Sequence, residues 1–198
     1  ENPVRVALAE KIFRAILEET SLSAEMQVMD FGCGTGLLAL QIAPSVALIT
    51  GVDSARGMLD VFLTKAAVMG LANAQAILLD PDGTNTHLPG CYHLITSSMT
   101  LHHIKQVRPL LQQFSKCLEP GGVLCIADLD SENGRFHPDP TGVFHNGFER
   151  NILRQLFEEV GFENVRIKTA AEVTRPDKDG VPTAFSIFLI SGNKPLAA

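Results

Sequence analysis

Hydrophobic positions along this chain change period repeatedly, and each change marks an element. After Asn2-Pro3, a cap followed by proline at a first helical position, Leu8, Ile12, Ala15 and Ile16 share one helical face. This predicts an N-terminal helix within residues 1–20. Apolar runs at Gln27 to Phe31 and Val46 to Val52 read as strands, with a helix between them from Leu37 to Ala43, ahead of Pro44. Ala55, Met58, Leu59, Phe62, Ala66 and Met69 recur at helical spacing and stop at Gly70. Ala74 to Leu79 and Tyr92 to Ser97 are the next two strands. The stretch Asp80 to Gly90 between them is rich in Pro, Gly, Asp and Asn and reads as loop.

The second half continues the alternation. Val107, Leu110, Leu111, Phe114 and Leu118 form an amphipathic helix that stops at Pro120-Gly121-Gly122, which launches a strand from Val123 to Leu129. Residues 130–147 are polar and too long for a simple connection, which predicts a loop over the functional crevice. Phe148, Ile152, Leu153, Leu156, Phe157 and Val160 make a last helix, ended by Gly161. Strands follow at Val165 to Thr169 and Ala184 to Ser191, across a turn from Arg175 to Gly180. Alternating strands and helices predict an α/β fold with three α/β/α layers around a mostly parallel seven-stranded sheet. The final two strands lack a helix between them, so the last strand is expected to run antiparallel. No repeat or linker interrupts the pattern, and residues 1–198 read as a single domain.

Composition narrows the class. Of 198 residues 45% are apolar and 19% charged, and no apolar run reaches the ~20 residues that would span a bilayer. A net charge of −6 argues against a nucleic-acid surface. Cys33, Cys91, Cys117 and Cys125 form no C-x-x-C pair or disulfide framework, so reduced thiols and a cytoplasmic setting are expected. Glu1 rather than Met opens the chain, as expected where an N-terminal segment has been removed or left out. A nucleophilic Cys33 would need an activating histidine, and none is near it in sequence.

The candidate chemistry lies in Val28-Met29-Asp30-Phe31-Gly32-Cys33-Gly34-Thr35-Gly36 and in Asp53 at the end of the second strand. A strand running into closely spaced glycines lets backbone bend sharply and approach a ligand. An acidic residue one strand on can accept the hydrogens of a ribose diol. Right-handed crossovers bring the glycine loop, Asp53, the residues after Ser97 and the long loop to one crevice. The dinucleotide fingerprint G-x-G-x-x-G/A would need a small residue where Leu37 stands, which counts against NAD or FAD. No G-K-[ST] follows, which excludes a Walker loop.

The glycine segment and Asp53 resemble the first two motifs of class I S-adenosylmethionine-dependent methyltransferases. Leu94 to Ile104, with its small residues and Leu101-His102-His103, resembles the family's fourth-strand segment. Leu118-Glu119-Pro120-Gly121-Gly122 resembles its turn into strand five, and Gly161-Phe162 its common pair before strand six. The resemblance implies a Rossmann-like fold and S-adenosylmethionine as cofactor, with S-adenosylhomocysteine as product. It implies Asp30, Gly32, Gly34 and Gly36 along the methionine part, and Asp53 on the ribose. Ser54 and Met58 would lie beside ribose and adenine, Asp80 (with Asp82 as rival) at the adenine amino group, and Ser97 and Met99 would offer backbone to the ammonium end. A noncatalytic cofactor-binding module and an NAD-type oxidoreductase are the alternatives. Many relatives carry Asp where His93 stands here, which bears on strand packing rather than on binding.

The acceptor is constrained by absences. No D/N-P-P-Y follows the fourth strand and no Pro-Cys nucleophile is present, which with the acidic charge leaves a small molecule as the leading acceptor, with a protein side chain behind it. No fixed triad is expected, because the methyl donor arrives activated and the enzyme chiefly orients the acceptor. His103 and His145 are candidate general bases, with His102 and His137 also near the crevice. A metal set of Asp128, Asp130, His137 and His145 matches no known ligand spacing, so no metal is expected.

Overall fold

The computed structural model describes residues 2–79, 88–177 and 179–197. Asn2 caps α1 (Pro3–Leu17) as expected, its Oδ1 accepting from the Val4 N–H at 2.9 Å, and Ile12, Ala15 and Ile16 are buried on one face. Then follow β1 (Gln27–Phe31), a four-residue α2 (Ala39–Ile42), β2 (Leu48–Asp53), α3 (Arg56–Val68) and β3 (Ala74–Leu78). The second half holds β4 (Tyr92–Ser98), α4 (Val107–Cys117), β5 (Leu118–Leu129), α5 (Arg150–Val160), β6 (Glu163–Pro176) and β7 (Pro182–Asn193). The seven strands form one sheet in the order β3-β2-β1-β4-β5-β7-β6. All neighbours are parallel until β7, which is antiparallel to both β5 and β6. The expected sheet is therefore present, with its antiparallel last strand.

Period-two alternation in the central strands builds two cores. Val28, Leu94, Cys125, Ala127 and Leu189 pack on one face with α1, α2 and α3. Their neighbours Met29, Ile95, Ile126 and Phe188 pack on the other with α4 and α5. On that second face α4 buries Val107, Leu110, Leu111, Phe114 and Cys117. Each such Leu or Phe stabilises the fold by about 1.5–3 kcal/mol. Strands apolar on both sides suit a sheet covered on both faces, which leaves only its carboxyl edge and loops for a site.

Three elements differ from the sequence expectation. The helix expected from Leu37 shrinks to Ala39–Ile42, because Gly34 to Leu38 are spent in turns and Pro44 sits in a 3-10 turn, Ala43–Ser45. Strand β5 begins at Leu118 and contains Pro120-Gly121-Gly122, with a register shift between Tyr92 and Leu94 on its neighbour. β6 and β7 form a hairpin much longer than predicted. A shift between Thr169 and Ala171 breaks the alternation that would have announced it. His93 takes a structural part: its Nδ1 accepts the Gln27 N–H at 3.1 Å and ties β4 to the start of β1.

Candidate active site

The carboxyl ends of β1 and β4, α1 and the far half of the hairpin enclose a cleft of about 740 Å³. One end is made by the glycine loop. Gly32, Gly34 and Gly36 have φ of 70°, 52° and 81°, a region that side chains rarely adopt. A Cβ on Gly32 would lie 2.2 Å from Thr100 Oγ1, and one on Gly36 would lie 2.3 Å from the Phe62 ring. The loop is thus pressed between the segment just after β4 and α3. Gly34 points into open space, with nothing within 4 Å of an added Cβ. That open, backbone-lined position leaves room for a ligand.

Asp53 holds the loop from below. Its Oδ2 accepts the Gly34 N–H at 2.8 Å and its Oδ1 accepts the Ala55 N–H at 2.9 Å. A carboxylate has about four lone-pair sites, so two remain for ribose hydroxyls. Asp30 lines the cleft and is almost wholly buried, with Oδ1 accepting from Thr96 Oγ1 at 2.9 Å. Burial pushes its pKa up to about 7, against the hydrogen bond from Thr96, which favours the anion. A cationic ammonium beside it would restore the charged form.

Of the remaining predicted cofactor residues, Met58 and Met99 line the cleft, Met99 at φ 55° with its N–H on Ala127 O. Ser98 lines it rather than Ser97. Ser97 is buried, and its hydroxyl donates to Phe31 O at 2.9 Å, bracing β4 against β1. Ser54 is exposed and, with Asp53, stands outside the cleft-lining set. Asp80 and Asp82 lie outside the described residues. Cys33 lines the cleft, but burial, with Asp30 and Asp53 nearby, pushes its thiol pKa far up, which removes it as a nucleophile.

The sequence pattern marks little of the other end of the cleft. Its walls come from Arg5, Leu8 and Ala9 of α1, from Phe136 and His137 of the long loop, and from Val173 to Pro176 of β6. No spacing rule joins such distant segments. The loop is not loose. The Glu132 carboxylate accepts the Arg135 and Phe136 N–H groups, and Arg135 Nη2 donates to Asp177 Oδ2 at 2.6 Å. Phe136 meets Phe185 edge-on at 5.0 Å, and the Arg175 guanidinium lies 4.5 Å above the Phe136 ring. At the loop's two ends, Arg150 grips Asp130 through Nε and Nη2 at 2.7 and 2.6 Å.

The histidines separate into two groups. His145, a predicted base, stands away from the cleft lining; its Nε2 contacts Ile104 O at 2.9 Å and its ring faces Phe148. That role holds the loop to the chain after β4. His103 does line the cleft, with Nδ1 on Gly142 O at 2.7 Å. Beside it, His102 is buried, with Nδ1 on Asp128 Oδ1 at 2.6 Å and Nε2 without a partner. The signal for this pair was Asp128 itself. An acid inside the apolar run Cys125 to Leu129 needs a buried partner.

Comparison with known proteins matches residues 5–167 to a family model described as a methyltransferase domain. The chain belongs to that methyltransferase family. An uncharacterized methyltransferase of Schizosaccharomyces pombe is 31% identical over 156 residues, covering 72% of this chain and 55% of that protein. An O-methyltransferase of Aspergillus sclerotiorum is 28% identical over 187 residues, covering 89% of this chain and 69% of its own length. The chain thus spans little more than half of the first relative. Among solved structures, a SAM-dependent methyltransferase from Aquifex aeolicus superposes with a TM-score of 0.69 at 18% identity, over 98% of this chain and 94% of that one. At that identity the likeness is one of fold. No helix among the described residues is long and apolar enough to cross a membrane.

Proposed function

We propose that the protein transfers a methyl group from S-adenosylmethionine to an oxygen of a small, largely apolar or aromatic acceptor. The observation that carries this reading is the two-ended cleft, with backbone and buried Asp30 at one end and a mixed wall of Phe136, Val173, Leu8 and Arg175 at the other. The donor end fits the cofactor. Gly34 opens onto free space, Asp53 keeps lone pairs for a ribose diol, and Asp30 offers a carboxylate to an ammonium. When bound, S-adenosylmethionine supplies a methyl group already activated on a sulfonium.

The chain's own work is then positional. In-line displacement needs the acceptor oxygen held against the methyl and water kept out, and the apolar walls serve both ends. Asp30 is the only acidic residue among those lining the described cleft, whereas Arg5 and Arg175 bring positive charge. An amine acceptor would ask for carboxylates there; an oxygen acceptor, neutral or anionic, does not. The Aspergillus sclerotiorum relative bears the name O-methyltransferase, which supports the same choice. A noncatalytic binding module would not require the acceptor wall.

Calorimetry tests the cofactor first. S-adenosylhomocysteine should bind one per chain, and NAD should not. Binding of NAD with none of the homocysteine compound would sink the proposal. Transfer of labelled methyl to phenols, with none to comparable amines, is the expected acceptor result.

A further inference from the structure

We propose that His102, His103 and His137 form a binding site for one divalent transition-metal ion of the zinc class, at the acceptor end of the cleft. Sequence spacing suggested a different set, Asp128, Asp130, His137 and His145, and no metal from it. Folding instead places one nitrogen from each of these three imidazoles within 4.8 Å of the others. The ring centroids stand 4.1, 4.9 and 5.5 Å apart. All three residues line the cleft.

The protonation pattern is the second, independent observation. His102 Nδ1 contacts Asp128 Oδ1, and His103 Nδ1 contacts the Gly142 carbonyl. A carboxylate and a carbonyl only accept, so Nδ1 carries a proton in both rings, and in the neutral imidazole each Nε2 then keeps its lone pair. His102 is 1% exposed, and its Nε2 has no partner; His137 Nε2 is also buried without one. Buried polar atoms left unpaired are costly. Two rings that both present lone pairs cannot satisfy each other. A cation satisfies all three at once.

The supporting shell has the form a metal site uses. Asp128 on His102 makes a carboxylate–histidine pair, and Gly142 O orients His103, the usual devices for fixing a ligating imidazole. Imidazole donors suit zinc and its neighbours rather than magnesium or calcium. Zinc–nitrogen bonds of about 2.0–2.1 Å would require the His137 loop to move inward by on the order of an ångström. Three protein ligands leave a fourth position facing the cleft. An acceptor hydroxyl bound there would lose its proton to solvent more readily. That last role rests on the methyl-transfer reading; the metal site does not.

Untagged protein, stripped with chelator and titrated with Co²⁺, tests the site. The expected result is one ion per chain, with the visible absorption of a four-coordinate site and no thiolate charge-transfer band from Cys91. His137→Gln, a change in a loop, should weaken Co²⁺ at least 100-fold while S-adenosylhomocysteine affinity holds. Asp128→Asn should weaken it 10- to 100-fold. Failure to bind a stoichiometric ion, or binding unchanged in His137→Gln, overturns the site. Loss of homocysteine-compound binding in the parent protein would instead count against the methyl-transfer reading.

Discussion

The two ends of the cleft are built by opposite strategies. At the donor end, Asp30, Gly32, Gly34 and Asp53 come from two adjacent parallel strands and the loop between them, and backbone N–H groups carry much of the bonding. At the acceptor end, residues 5–9, 102–103, 136–137 and 173–176 arrive from four distant stretches, and side chains do almost everything. A site made mostly of backbone can be rebuilt by any sequence that keeps the glycines and the two acids beside them. A side-chain site is particular to its sequence. The difference teaches where selectivity resides.

Asp30 gives the largest expected effect. Its pKa is about 7 in the fold against 3.8 for the ordinary carboxyl, so the folded chain binds an extra proton between those values. The stability it contributes is full below about pH 4 and is lost as pH rises through about 7, on the order of 4 kcal/mol in ligand-free protein. Urea unfolding from pH 4 to 8 should show this slope, and Asp30→Asn should flatten it. An unchanged slope in the variant would show that the donor end carries no such strain.

Gly32→Ala comes next. The positive φ and the clash with Thr100 together should cost on the order of 3 kcal/mol, about a hundredfold in S-adenosylhomocysteine affinity if the chain still folds. Retained affinity would mean that the loop has slack, against the comparison. Asp53→Ala should weaken the same ligand by about 1–3 kcal/mol, because both its backbone contacts and its free lone pairs go. Affinity equal to the parent's in a folded variant would remove Asp53 from the site. Smallest is Arg135→Ala, which unties the long loop from Asp177. We expect a severalfold rise in acceptor KM, with donor affinity within about 0.5 kcal/mol of the parent. An equal loss at both ends would merge the two regions into one.

Legibility in the sequence follows the same division. Contiguous glycines and an acid one strand later announce themselves, and the apolar alternation of the central strands foretells the sheet. On β4 alternation turns the Ser97 hydroxyl to Phe31 O, while Ser98 takes the cleft side. Turns after the glycines carry the same apolar residues as a helix, so the pattern there looks longer than the helix is. The hairpin looks short in the sequence because its bulge changes phase. Nothing local marked Phe136 or Arg175, whose place depends on how far a hairpin reaches over a loop. His145 shows the converse: a histidine near the right loop, committed to a backbone carbonyl.

The long β6–β7 hairpin has a consequence for how this molecule could diversify. Its inner half is sheet, paired through β7 to β5, while its outer half supplies Val173 to Pro176 to the cleft and Asp177 to the loop anchor. Insertions or exchanges at the tip therefore change the shape offered to the incoming molecule without disturbing a single central strand. The hairpin behaves as an interchangeable jaw on a fixed handle.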